Sequence, residues 1–376
     1  MTAENIENAL SMQANFRFEQ VSSHTALRAV PASTPSLGPL AAFAGTFKGH
    51  GLNTIFRPNS TQTPSPLPTP PAGPADNVLE INLTAETLSF SPALGSVPNR
   101  GFMQGDIFLN GVPYLQTISD VTVPSQPVGI HFEPGLWVAV PATAFPEEDA
   151  TVLRRGSIPH GTTIEAQGTS SVASGKPAIP AVDITPLTIP TPGNPPKKVP
   201  FPSQTAADAE TARIPQDLSP FIAAGTITQA ILTDPNTLLR DHIAQQDITE
   251  TTTIEISTHP GTEPDHPAQD SNAQATHMTA TFWIETVRYV IEVPAHRHGS
   301  PPLTIAAPTG EAGQPGPRFL VDPPVDIIKP RPITVTSTQI QYSQHRLLNF
   351  NGLLWPHVSV ATLGPDRAIP VPASAW

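Results

Sequence analysis

A histidine near the C-terminus is followed by residues that leave room beside its ring. Because Pro356 removes one main-chain donor, we expect a strand to begin at or just after it. Alternation along that strand places four side chains on one face, those of His357, Ser359, Ala361 and Leu363. An imidazole followed on its own face by two small side chains leaves the space that a flat, bulky ligand requires. His357 is therefore the first candidate for a ligand-binding residue.

A second candidate is the pair formed by His131 and Glu133, which lie two residues apart and so share one face of a strand. Such a pair could exchange protons with a bound molecule or orient a ligand. A polar pair beside a turn explains the same residues without any reaction, and both interpretations stay open. The sequence motifs of common hydrolases, kinases, dehydrogenases and metalloproteases are absent, which weighs against those enzyme classes.

The composition limits the class of protein. The 376 residues include 48 prolines and no cysteine, and the formal net charge is −12. So many prolines exclude a mainly helical protein and predict short strands. The negative charge argues against nucleic acid or an anionic membrane as a partner, because both attract clustered Lys and Arg. Without cysteine there are no disulfides or thiolate sites. We see neither a signal peptide nor a membrane-length apolar run, and we expect a soluble, cytoplasmic protein.

Short apolar runs separated by turn residues predict antiparallel β-structure, in a sandwich or a barrel. We interpret residues 78–90 and residues 105–118 as hairpins, the second turning at Asn110-Gly111. We interpret residues 128–140 as a third hairpin. Residues 278–293 form either a hairpin that turns near Glu285 or one long bent strand.

Two helices are predicted after a proline-rich stretch. The first covers residues 217–224 and ends at Gly225, and the second covers 234–246 with Asp234 as its N-cap. In the second helix, Leu238, Leu239, His242 and Ile243 form a stripe that is expected to be buried.

The predicted domain organisation has four parts. Residues 1–36 form an N-terminal arm, and residues 37–171 form a first β region. Residues 172–215 are a proline-rich linker or a surface-hugging extended segment. Residues 216–376 carry the short helices and a second β region with His357. The sequence leaves open whether the two β regions build one barrel or two, and whether the chain forms a homodimer.

Two short windows carry a family resemblance. The segment Ala44-Gly-Thr-Phe-Lys-Gly-His-Gly51 resembles the opening segment of the nitrobindin-like proteins, which are haem-binding β-barrels related to fatty-acid-binding proteins and lipocalins. Tyr342 and the later Trp355-Pro-His-Val358 resemble the last strands of that family. The resemblance implies that His357 binds the haem iron and that the small side chains of Ser359 and Ala361 leave room for the haem. Gly49, Gly51 and Thr54 would then lie near the cavity. It further implies ferric haem that reacts with nitric oxide or peroxynitrite.

The sequence therefore predicts an antiparallel, calycin-like or lipocalin-like barrel, enlarged or doubled, with a proline-rich crossover and a few short helices. Its predicted function is to bind haem or a similar planar, apolar ligand. One alternative is a haem-free carrier of a hydrophobic small molecule. Another is an enzyme that acts on such a molecule through His131 and Glu133.

Overall fold

Long strands, many of them rich in β-branched residues, dominate the structure. The computed structural model describes residues 35–71, 75–158, 162–258, 274–308 and 316–376. Within these ranges the strands are β1 (Gly45–Pro58), β2 (Asn77–Phe90), β3 (Val97–Asn99), β4 (Ile107–Asp120), β5 (Val128–Val140), β6 (Thr143–Ala144), β7 (Glu147–Glu148), β8 (Thr151–Ser157), β9 (Thr163–Ser174), β10 (Leu187–Thr188), β11 (Arg213–Ile214), β12 (Asp247–Ser257), β13 (Gln274–Val293), β14 (Leu303–Ala306), β15 (Arg318–Val321), β16 (Arg331–Phe350), β17 (Leu353–Pro365) and β18 (Ile369–Pro370).

Ten of these strands close into a single antiparallel barrel. Their order around the wall is β1, β2, β4, β5, β8, β9, β12, β13, β16 and β17, and β17 pairs with β1 to close the ring. The predicted fold class, a mainly β antiparallel barrel with a few short helices, is confirmed. The strands of the first β region form one arc of the wall and those of the second β region form the rest, so one barrel forms rather than two.

The strands are longer than predicted, and the three proposed hairpins are wrong. Strands β2, β4 and β5 run through the proposed turns without a break. Asn110 does not turn the chain, because its buried side chain donates to Pro35 O and accepts from the main-chain N–H of Gly95. Gly135 lies inside β5 because the Tyr114 ring packs over it, where a Cβ would lie 2.4 Å from the ring.

The prediction that prolines would shorten the strands is wrong. Pro113, Pro134 and Pro356 lie inside strands of 13 or 14 residues. A proline removes one donor only, and the ladder bonds on either side hold the strand in place. Strand β13 is also continuous, so the second interpretation of residues 278–293, one long strand, is the correct one.

Three apolar cores surround and fill the barrel. The inner core draws side chains from all ten barrel strands, among them Phe47, Phe90, Trp137, Phe282 and Tyr342. A second core lies outside the wall, between the barrel and the residues that cover it. A third packs the small sheet of β14, β15 and β18 against the far ends of β13 and β16.

The cover on the outer wall is the segment of residues 175–246, which runs between β9 and β12. It contains α1 (Ser219–Ala224), α2 (Gln229–Thr233) and α3 (Thr237–Ile243). Helix α1 ends at Gly225 with φ 72°, as the sequence predicts. None of the helices within the described ranges has both the length and the apolar character needed to span a bilayer.

Helix α3 is shorter than predicted because Asp234 does not cap it. The Asp234 carboxylate accepts from the main-chain N–H of Val182 and of Asn236, and it forms an ion pair with Arg240. It therefore joins the proline-rich part of the cover to the helix, and the helix begins three residues later at Thr237.

Candidate functional site in the barrel and on its outer wall

His357 faces the barrel interior, on the same face of β17 as Ser359, Ala361 and Leu363. Ala361 and Leu363 belong to the inner core, and alternation along β17 gives the other two the same orientation. His357 and Ser359 are only partly buried, whereas Ala361 and Leu363 are fully buried. His357 therefore lies toward one end of the interior, and the apolar core lies beyond it.

A hydrogen-bond chain holds the His357 ring. Nε2 donates to Oδ1 of Asn53 on β1 at 2.7 Å, and Oγ of Ser359 donates to the same oxygen at 2.9 Å. The Asn53 amide donates in turn to Asn82 on β2 at 3.0 Å, and Asn82 donates to Asp120 at 3.0 Å. Burial lowers the pKa of His357 to about 3, and electrostatic interactions with Arg346, His131 and His345 act in the same direction. The ring is thus neutral at ordinary pH.

His131 and Glu133, the second predicted pair, do meet inside the barrel. Nε2 of His131 lies 3.1 Å from Oε2 of Glu133, which is fully buried. The other carboxylate oxygen accepts from Arg154 on β8 at 2.7 Å and from the Tyr114 hydroxyl. Burial alone would raise the pKa of Glu133, but Arg154 and His131 together lower it to about 2. Glu133 is therefore an ionised partner of a buried arginine.

A third polar group lies deeper in the barrel around Glu86. Its carboxylate accepts from Tyr342 at 2.7 Å, from Thr84 at 2.9 Å and from Gln116 at 3.3 Å. Burial raises the pKa of Glu86, and these three donors oppose the rise. The group joins side chains of β2, β4 and β16 across the interior.

Contacts between strands far apart on the wall fill the interior next to His357. The Arg154 guanidinium on β8 donates to Oε1 of Gln344 on β16 at 2.8 Å, and Gln344 pairs in register with Ser359. At the next inward-facing position of β17, Ala361 pairs with Tyr342 of β16, which accepts a hydrogen bond from Gln116 of β4 at 3.2 Å. Side chains of other strands therefore lie next to both Ser359 and Ala361, the small residues that were predicted to leave space beside His357.

This packing bears on the predicted haem. An iron ligand needs an imidazole nitrogen whose lone pair faces open space. Nε2 of His357 donates to Asn53, which leaves the lone pair on Nδ1, but the layers of Ser359 and Ala361 are crossed by the contacts just described. The residues present thus do not form a slot for a haem beneath His357.

A ligand-sized cleft lies on the outer wall instead, between the barrel and the helices of the cover. Its volume is about 480 Å³, within the usual range for small-molecule sites. Its apolar lining comes from the wall and from the helices, and consists of Leu83, Val121, Ala224, Ile231, Leu238, Leu239 and Val360. Its polar side chains are His50, Thr226, Asp241, His242 and Thr362.

A smaller groove of about 280 Å³ continues along the outer wall. It shares His50 with the cleft and is lined further by Lys48, Gly49, Ala85, Glu86, Thr87, Thr117 and Ser119. Most of these residues are polar, and none of them belongs to the helices.

The glycines and Thr54 of the resemblance lie on opposite faces of β1. Gly51 faces the interior, because it pairs with Ala361, and Gly49 shares that face. The main chain of Gly51 also borders the cleft, and that of Gly49 borders the smaller groove. Thr54 faces outward and is buried, with its hydroxyl 3.5 Å from Val358 O. Thr54 is thus separated from the His357 ring, which lies on the inner side of the same wall.

Sequence reasoning overlooked the residue that organises the cover. Arg213 is fully buried, and its guanidinium donates to six main-chain carbonyls, those of Ser203, Thr205, Ala206, Asp208, Pro215 and Gln216. No local pattern marks a single arginine in a proline-rich stretch for this role. The predicted stripe on α3 was a usable signal, because Leu238, Leu239 and His242 of that stripe line the cleft.

Comparison of the chain with protein families, with curated proteins and with solved structures finds no match. The nitrobindin-like resemblance therefore stays a prediction from two short windows.

Proposed function

We propose that this protein binds a small, mainly apolar molecule in the cleft between the outer barrel wall and the helices of the cover. The observation that carries the proposal is the cleft itself: its volume of about 480 Å³ suits a small molecule, and the aliphatic side chains that line it from the wall and the helices can bury the apolar part of a ligand. This is the predicted alternative of a carrier, with the ligand outside the barrel rather than within it.

The packing of the two sides of the wall supports this location. Inside, polar side chains and aromatic rings contact one another across the barrel. Outside, Leu83 and Leu238 border the cleft from opposite sides and are only partly buried. Burying such apolar surface against a ligand is worth roughly 25 cal/mol per Å² before the costs of association are subtracted.

A neutral, apolar dye tests the proposal. Nile red should bind saturably to the purified protein with a rise in fluorescence. Ala224→Trp should abolish this binding, because Ala224 lines the cleft and an indole there would fill it. Ala223→Trp is the matched control, because Ala223 is exposed on the same helix and does not line the cleft.

Different results would contradict the location of the binding site and the proposed function itself. If Ala224→Trp and Ala223→Trp bind the dye equally well, the cleft is not the binding site. If wild type shows no saturable binding at all, the proposed function is wrong. His357→Ala should leave dye binding unchanged, since His357 lies on the inner side of the wall.

A further inference from the structure

The outer wall beside the cleft changes from apolar to polar along the direction of the strands. Outward side chains of β1 follow one another as Leu52, His50 and Lys48. Over the four steps from Leu52 to Lys48 the strand covers about 14 Å at its usual rise of ~3.4 Å per residue. The neighbouring strands change in the same direction, so the change belongs to the surface and not to one strand.

The pairing register shows this row by row. Leu52 pairs with Leu83 on β2 and with Val360 on β17, which gives an apolar row that borders the cleft. His50 pairs with Ala85 and Thr362, which gives a mixed row.

The third row is polar and carries the positive charge. Lys48 pairs with Thr87 on β2, and Thr87 pairs with Thr117 on β4. This row lines the uncovered groove, so its ammonium and hydroxyl groups remain in contact with water.

We infer that the ligand of the cleft is a single-chain amphiphile with an anionic head group, its apolar chain in the cleft and its head group at Lys48. This inference rests on the proposed function and adds the class of ligand. His50 lies at the junction of cleft and groove, so the ligand would pass it where the apolar lining ends.

Charge complementarity supports an anionic head group in particular. Lys48 is a positive residue in a chain whose formal net charge is −12, and it lies at the polar end of the gradient. Its present partner is Asp366 at 3.1 Å, with 54% of the lysine side chain exposed. An exposed pair of this kind contributes little to stability, so the ammonium can exchange the aspartate for a carboxylate of the ligand.

Three probes with the same chain and different head groups test the inference. Displacement of Nile red by decanoate, decanol and decyltrimethylammonium should give the tightest binding for decanoate and the weakest for the cation. Lys48→Ala should weaken decanoate binding about two- to fivefold and leave decanol unchanged. Asp366→Asn should strengthen decanoate binding, because it removes the competing carboxylate.

Lys197→Ala is the matched control, because Lys197 is exposed and lines neither the cleft nor the groove. Equal affinity for the three probes, or an equal loss of decanol and decanoate binding in Lys48→Ala, would overturn the head-group inference while leaving the cleft in place. Failure of Nile red and of all three probes to bind would instead reject the proposed function. The two failures are therefore distinguishable.

Discussion

Nε2 of His357 donates a hydrogen bond to Oδ1 of Asn53 across the β1–β17 pair, at 2.7 Å. This contact fixes the orientation of the ring and leaves the lone pair of the neutral imidazole on Nδ1. It also links His357, through Asn53, to Asn82 and Asp120. The histidine that stands out in the sequence is thus one member of a polar network that joins three neighbouring strands.

Asn53→Ala should destabilise the barrel by about 1–3 kcal/mol, because it leaves the partly buried donors of His357 and Ser359 without their acceptor. Urea denaturation measures this change. Asn194→Ala, at an exposed turn, serves as the control and should have little effect. An Asn53→Ala variant as stable as wild type would show that the network contributes nothing to folding.

A haemin titration followed by absorption tests the haem prediction. We expect no saturable Soret band, because side chains cross the barrel below the ring and leave no slot for the macrocycle. A stoichiometric Soret band that His357→Ala abolishes and His131→Ala retains would show that the interior opens to admit the group, and would restore the haem hypothesis.

Glu133→Gln should cost about 3–5 kcal/mol at pH 7, because Arg154 would lose the carboxylate that neutralises it in the interior. The pKa of Glu133 is lowered from 4.5 to about 2, so its contribution is complete above pH 4.5 and is lost as the pH falls toward 2. Wild type should therefore lose stability faster than the variant in that interval. Glu165→Gln, which removes an exposed pair with Arg155, is the control, and equal losses at positions 133 and 165 would contradict the prediction.

The contribution of Glu285 to folding stability should have the opposite pH dependence. This fully buried carboxyl group accepts from Gln339 at 2.6 Å, and burial raises its pKa to about 8. A raised pKa means that its contribution is complete below pH 4.5 and is lost as the pH rises to about 8. Glu285→Gln should match wild type at acidic pH and be more stable by roughly 2–4 kcal/mol at pH 9. Glu292→Gln, at an exposed position on the same strand, should show no such gain.

Arg213→Lys should loosen the cover, because an ammonium group cannot donate to six carbonyls at once. We expect a loss of about 2–4 kcal/mol, faster hydrogen exchange in residues 175–246, and weaker Nile red binding. Arg155→Lys, an exposed control, should change none of these. Unchanged hydrogen exchange in Arg213→Lys would show that other contacts hold the cover.

The fold class was predictable because β-branched runs and the lack of helical periodicity persist along most of the chain. The lengths of the strands were not predictable from the sequence. Glycine, proline and asparagine inside β4 and β5 have the composition of turns, but here glycine admits a neighbouring ring and Asn110 bonds to loops. Such contacts depend on residues distant in sequence, which local patterns do not report.

The candidate site was only partly predictable, for a related reason. Alternation on β17 correctly indicated that His357 and Ser359 share a face, and the spacing of His131 and Glu133 predicted a pair that forms at 3.1 Å. Whether space remains beside a residue depends on the opposite strands, and Gln344 and Tyr342 occupy it. The cleft depends on how the cover lies on the wall, and no short stretch of sequence encodes that arrangement.

The position of the cover between β9 and β12 has an evolutionary consequence. These two strands are direct neighbours, paired from Gln167–Ser257 to Ser174–Glu250, so the chain leaves the wall and returns to it at adjacent points. One continuous segment can therefore be exchanged, lengthened or shortened without altering the closure of the barrel. Variation in this insertion would reshape the cleft while leaving the ten strands that close the barrel untouched.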